Sequence, residues 1–126
     1  MKQLSIITEN KPGQLNEIAA TLGGNGININ SLMGDGVGDR GIVRLITTDP
    51  TSAKNLLEKK GFKVEEADIF VIKIPDKPGT LAKITKQLRD WNVNIESIYL
   101  MNKLGKVAEL ALQVDNPKKA AEILGL

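Results

Sequence analysis

The sequence predicts an α+β fold made of two tandem βαββαβ units, each an antiparallel sheet with its helices on one face. Three observations carry this reading. Sliding the chain by 66 residues aligns "KPGQLNEIAATLGGNGININS" (11–31) with "KPGTLAKITKQLRDWNVNIES" (77–97), without a gap and with nine of 21 positions identical. Chance at average amino-acid usage would give about one or two identities. In both copies, stretches of alternating polarity flank a stretch with helical spacing. The repeat also runs out, because the counterpart of residues 62–66 at that offset would be 128–132, beyond Leu126. The second unit is therefore expected to lack or shorten its fourth strand.

The elements follow in order. "QLSIIT" (3–8) and "DIFVIKI" (68–74) are the opening strands, rich in β-branched residues. Pro12 and Pro78 then mark helix starts, since proline's missing N–H has no intrahelical partner in a first turn. Leu15, Ile18 and Leu22, matched by Leu81, Ile84 and Leu88, form a stripe at helical spacing that should face a core. "GGNG" (23–26) and "DWN" (90–92) end these helices. Ile27–Met33, interrupted by two asparagines, and Val93–Met101 are the next strands. Gly-rich or polar turns lead to "GIVRLIT" (41–47) and "KVAELALQV" (106–114), which alternate as half-buried strands do. The second helices open beside prolines, at "DPTSAKNLLEKK" (49–60) and "DNPKKAAEILG" (115–125), and "GFKVEEA" (61–67) is a fourth strand. This order is the ferredoxin-like, split βαβ arrangement. It places one domain at 1–67 and a second at 68–126, whose opening strand presents an unpaired edge that the sister repeat, the C-terminus or a second chain should cover.

Composition narrows function. The chain of 126 residues has no cysteine and no histidine. That removes a disulfide framework, a thiolate metal site, the commonest general base and the commonest transition-metal ligand. Through residue 66 there are eight Lys/Arg and eight Asp/Glu, and nine against seven thereafter, so no basic stripe marks a nucleic-acid surface. Apolar runs are far short of a membrane span, and "MKQLSIITEN" has no signal-peptide character, which implies a cytoplasmic protein. No residues imply a cofactor or a metal.

Gly36-Val37-Gly38-Asp39-Arg40-Gly41 matches GxGxxG. A dinucleotide site needs a helix to start there, and an alternating strand follows instead, so a loose hairpin loop is expected. RNA recognition by stacking would need aromatics on the central strands, yet Phe62, Phe70, Trp91 and Tyr99 are the only four aromatics, and neither "GIVRLIT" nor "KVAELAL" carries one. Loop carboxylates such as Glu9, Asp35, Asp39 and Asp76 have no His or Cys beside them, so catalysis is not expected. The repeated Pro-Gly phrase has a plain reading, a strand-to-helix turn. It also has a functional one. Gly13 and Gly79 would leave the helix N-terminal N–H groups uncovered, and those donors suit a carboxylate. Asn28 and Asn94 offer a carbonyl for an ammonium and an amide for a carboxylate.

"ENKPGQL" and "PDKPGTL", each followed by a Leu/Ile-stripe helix and then "GININSL" or "NVNIESI", resemble the ACT domain family across essentially the whole chain. These small modules usually sense amino acids, and two units with nothing else resemble its stand-alone tandem members. The resemblance implies a non-enzymatic amino-acid-binding regulator, a homodimer, with ligand held between units. The first strand-to-helix loop of one unit and the second strand of its neighbour would enclose it. The first site would use Asn10, Lys11, Gly13, Gln14, Leu15, Asn28 and Ile29, and the second Asp76, Lys77, Gly79, Thr80, Leu81, Asn94 and Ile95. A continuous eight-strand sheet would be the family's default. Asp76 is expected to favour its site over that of Asn10, because charge-assisted hydrogen bonds are stronger than neutral ones. The rival readings are a regulatory subunit of an amino-acid biosynthetic enzyme, such as an acetolactate synthase small subunit, and a purely structural dimerisation module.

Overall fold

A computed structural model describes all residues, 1–126. The chain divides into two compact units, Lys2–Ala67 and Asp68–Leu126, with Met1 grouped with the latter. The first contains β1 (Lys2–Glu9), α1 (Gln14–Gly23), β2 (Ile29–Val37), β3 (Arg40–Thr47), α2 (Pro50–Lys59) and β4 (Lys63–Asp68). Its strands form one sheet in the order β2-β3-β1-β4, with β3 antiparallel to both β1 and β2. The second contains β5 (Phe70–Pro75), α3 (Thr80–Asp90), β6 (Ile95–Leu104), β7 (Val107–Val114) and α4 (Pro117–Leu124). Its sheet has three strands, ordered β5-β7-β6 and antiparallel throughout. The fold is thus the tandem ferredoxin-like one, and the second unit is one strand short. The eight-strand sheet is not formed, since seven strands fall into sheets of four and three.

Each unit has its own core. In the first, Leu4 and Ile6 of β1, Leu45 of β3, Ile18 and Leu22 of α1, and Leu57 of α2 are completely buried together. In the second, Ile72 and Ile74 of β5, Leu110 and Leu112 of β7, Leu88 of α3 and Ala120 of α4 occupy the same roles. The alternation along the strands and the 3.6-residue spacing along the helices thus converge on one layer between helices and sheet. Leu15 and Leu81 depart from the expected stripe. Both are 47% exposed, because the first helical turn projects past the apolar layer.

The prolines also depart from expectation in part. Pro50 and Pro117 begin α2 and α4, but Pro12 and Pro78 lie in turns before α1 and α3. Gly13 and Gly79 come between, at φ +92° and +89°. That left-handed geometry turns the chain between the proline and the helix, so each proline stays in the turn.

The glycine-rich segment is no loose loop. Gly36 pairs with Gly41 and Val37 with Arg40, leaving Gly38-Asp39 as a two-residue turn. Gly38 has φ +61°, the positive value that tight hairpins need at their first central residue. Leu104 and Val107 close the matching turn around Gly105. The copies differ by one residue within this hairpin. Both second strands have an irregularity at Asn30 or Glu96, but β6 has another between Leu100 and Asn102. Met101 is the extra residue, absorbed as a bulge. Ile29 and Ile95 differ by 66 positions, whereas their partners Thr47 and Val114 differ by 67.

Candidate functional site: open helix starts and opposed asparagines

The two Pro-Gly loops are anchored alike. Asn10 N–H donates to Asp39 O at 2.9 Å, and Asp76 N–H donates to Lys106 O at 2.8 Å, so each loop is tied to the hairpin turn of its own unit. The side chains then diverge. Asn10 Nδ2 donates to Gly38 O at 3.0 Å. Gly36 has no side chain because Asn10 lies over it, and a Cβ there would come within 2.8 Å of Asn10 Oδ1. Asp76 instead makes an ion pair with Lys103 at 3.2 Å. Its carboxylate is therefore already engaged by a cation of its own unit. Lys11 pairs with Glu9 at 2.8 Å, in solvent. The hydrogen bond from Lys11, reinforced by its charge, holds the Glu9 carboxyl below its ordinary value and raises the Lys11 ammonium in turn.

After the loops come helices with no side-chain cap at their starts. Gly13 and Gly79 are the N-caps of α1 and α3 and make no side-chain capping bond. By contrast, Asp49 accepts from Ser52 N at 3.1 Å to cap α2, and Asn116 accepts from Lys119 N at 3.1 Å to cap α4. Thr80 N–H makes a long bond of 3.4 Å to Lys77 O, and the other first-turn N–H groups of α1 and α3 have no intrahelical acceptor, with the positive end of the helix dipole behind them. Leu15 and Leu81 stand exposed beside these donors, Gln14 is half-buried, and the buried Thr80 Oγ1 has no partner. Lys77 lies exposed in the second loop. In the first unit a groove beside the loop is lined by Gln14, Phe62 and charges of both signs, Lys11, Arg40 and Lys60 with Glu9, Glu17 and Asp39. Lys60 and Phe62 carry no motif that would have singled them out, and Arg40 stands only at a variable position of the glycine match.

Asn28 and Asn94 lie elsewhere. Each sits just before its strand, past the far end of a helix of 10 or 11 residues, about 15 Å from the loop. Their backbones are fixed in the same way. Asn28 N–H donates to Thr48 Oγ1 at 3.1 Å and Thr48 N–H donates back to Asn28 O, while Asn94 N–H donates to Asp115 Oδ1 at 2.9 Å and Asp115 N–H donates to Asn94 O. The Asn28 amide is spent locally, on Asn30 Oδ1 at 2.8 Å. The Asn94 side chain makes no such bond. Ile29 and Ile95 follow, half-buried against their cores. Within either unit, then, the structure brings the loop residues together but keeps them apart from the asparagine and isoleucine.

Two tandem ferredoxin-like modules, each with an open helix start and an opposed asparagine, define the class. The chain belongs to the ACT domain pair family, whose model matches residues 1–126. A solved protein from Bacteroides thetaiotaomicron is similar at 36% identity and a TM-score of 0.87, covering 98% of this chain and 85% of that one. The ligand-free regulatory subunit of aspartate kinase from Thermus thermophilus has 17% identity and a TM-score of 0.71, covering 98% and 89%. The regulatory subunit of aspartate kinase from Thermus flavus has 20% identity and a TM-score of 0.74, covering 98% and 86%. At such identities these two show likeness of fold. No curated protein matches the chain. No helix is long and apolar enough to cross a membrane.

Proposed function

We propose that the chain is a non-enzymatic regulatory protein that binds a free amino acid between ACT domains, taken as residues 1–67 and 68–126. The observation that carries this reading is the selective absence of caps. The same chain caps α2 and α4 with Asp49 and Asn116 but leaves α1 and α3 open behind left-handed glycines. An α-carboxylate supplies what those starts lack, acceptors for orphan N–H donors. Leu15 and Leu81 provide apolar contact for a side chain, and Asn28 or Asn94 completes the site from another unit. Within one unit a helix length separates the two halves, so a ligand touching both joins units, and a homodimer supplies the required neighbours. Binding then favours the arrangement that encloses the ligand, and a cytoplasmic enzyme partner would read that bias through differential affinity.

Thermal unfolding against each of the twenty amino acids tests the reading. A ligand at 100 times its Kd should stabilise the protein by about 2.7 kcal/mol, a shift of several degrees for a domain this small. No shift with any amino acid would leave a structural dimerisation module instead.

A further inference from the structure

The two asparagine ends are chemically unequal, and the inequality lies in residues outside the repeated phrase. In the second unit a pocket at the end of α3 is lined by Thr85, Arg89, Asn94, Ile95 and Asp115. Asp115 uses Oδ1 to accept from Asn94 N–H, and no ion pair engages its carboxylate. Arg89 binds Asp90 through Nε and one terminal nitrogen, leaving the other nitrogen free. The Asn94 amide has no partner of its own. In the first unit, Thr48 makes the bond that Asp115 makes, Gly23 stands at the repeat position of Arg89, and the Asn28 amide is spent on Asn30. One end therefore offers an anion, a cation and a free amide around a partly apolar floor, and the other offers almost none of these.

We infer that Asp115 is the ammonium-binding, specificity-determining residue of the chain, with Arg89 assisting the open helix start of a neighbouring unit in drawing the carboxylate, so that a zwitterionic aliphatic amino acid is held with its ammonium at the Asn94 end. This rests on the sensor reading and adds to it which end discriminates. Ile95 and the methyl group of Thr85 suit an aliphatic side chain. A ligand lacking either charge loses a charge-assisted bond, which is worth about tenfold or more in affinity.

Trp91, the only tryptophan, follows Arg89 by two residues and is 59% exposed beside Lys119, next to this end but outside the pocket lining, so its fluorescence is a neighbouring readout. The experiment titrates the full chain with L-valine, L-isoleucine and L-leucine, then with N-acetyl-L-valine and L-valinamide, following Trp91 and, independently, heat. Asp115→Asn keeps an acceptor for Asn94 N–H and removes only the charge. It should raise Kd about tenfold or more, as should removal of the ligand's ammonium by acetylation, while Thr48→Val in the first unit should change Kd less than twofold. Equal affinity in wild type and Asp115→Asn, or an equal loss in Thr48→Val, would overturn the assignment while leaving the sensor reading intact. If none of the twenty amino acids binds wild type by either readout, the sensor reading falls and the assignment with it.

Discussion

The four helices begin in two ways. At α2 and α4, an Asx side chain bonds back to the third residue beyond it and proline occupies the first position. At α1 and α3, a left-handed glycine reverses the chain and no side chain returns. Both styles occur once per unit in matching places, so the difference belongs to position in the fold. The closed starts are completed locally. The open starts sit beside an exposed leucine and, in α3, an unpartnered threonine hydroxyl. A helix start left incomplete twice, in a chain that completes its others, points to an acceptor from outside.

The largest expected effect lies at the open starts. Gly79→Ala meets open space, with nothing within 4 Å of the added Cβ, so its cost is backbone strain alone. Holding alanine at φ +89° should destabilise the second unit by about 1–2 kcal/mol. Gly79→Asn should cost less, because asparagine visits that region more readily. Denaturant unfolding of the pair checks this, and equal losses would mean that the left-handed geometry is not what glycine supplies.

A smaller effect is expected at a closed start. Asn116→Ala removes the α4 cap and should cost about 1 kcal/mol by the same measurement. No loss would erase the distinction between the two kinds of start.

The smallest effect is one of pH. The Ser52 backbone N–H, followed by its hydroxyl, holds the Asp49 carboxyl below its ordinary value. A lowered folded pKa means that the contribution is fully present above the unfolded aspartate pKa, about 3.9. It is lost as pH falls through the lower folded value. Wild type should therefore lose slightly more stability than Asp49→Asn between pH 5 and pH 2, and parallel curves would remove the cap's electrostatic part.

The repeat made much of this legible. Ile18, Leu22 and Leu88 reach the cores at their expected helical spacing, and the alternation in "GIVRLIT" and "VAELALQ" gives the central strands. The loop residues were legible for the same reason, since "KPG" recurs in phase. Three features were not. Leu15 and Leu81 carry the helical period yet point outward, because periodicity marks a face and not where the apolar layer ends. Pro12 and Pro78 precede their helices because φ at the next glycine is positive, which composition does not reveal. Thr48 and Asp115 escaped because the Met101 bulge moves the offset from 66 to 67, so two residues that hold equivalent asparagines stand out of phase in the repeat.

Amide chemical shifts test the central claim most directly. The ¹⁵N–¹H spectrum of the full chain, titrated with an amino acid that raises its thermal stability, reads each helix start separately. The account predicts that the first-turn amides of α1 or α3, at Gln14, Leu15 and Asn16 or at Leu81 and Ala82, shift most as their orphan donors gain a carboxylate, while Thr51 and Ser52 of the capped α2 stay in place. Saturable binding that leaves both open helix starts unmoved would contradict it.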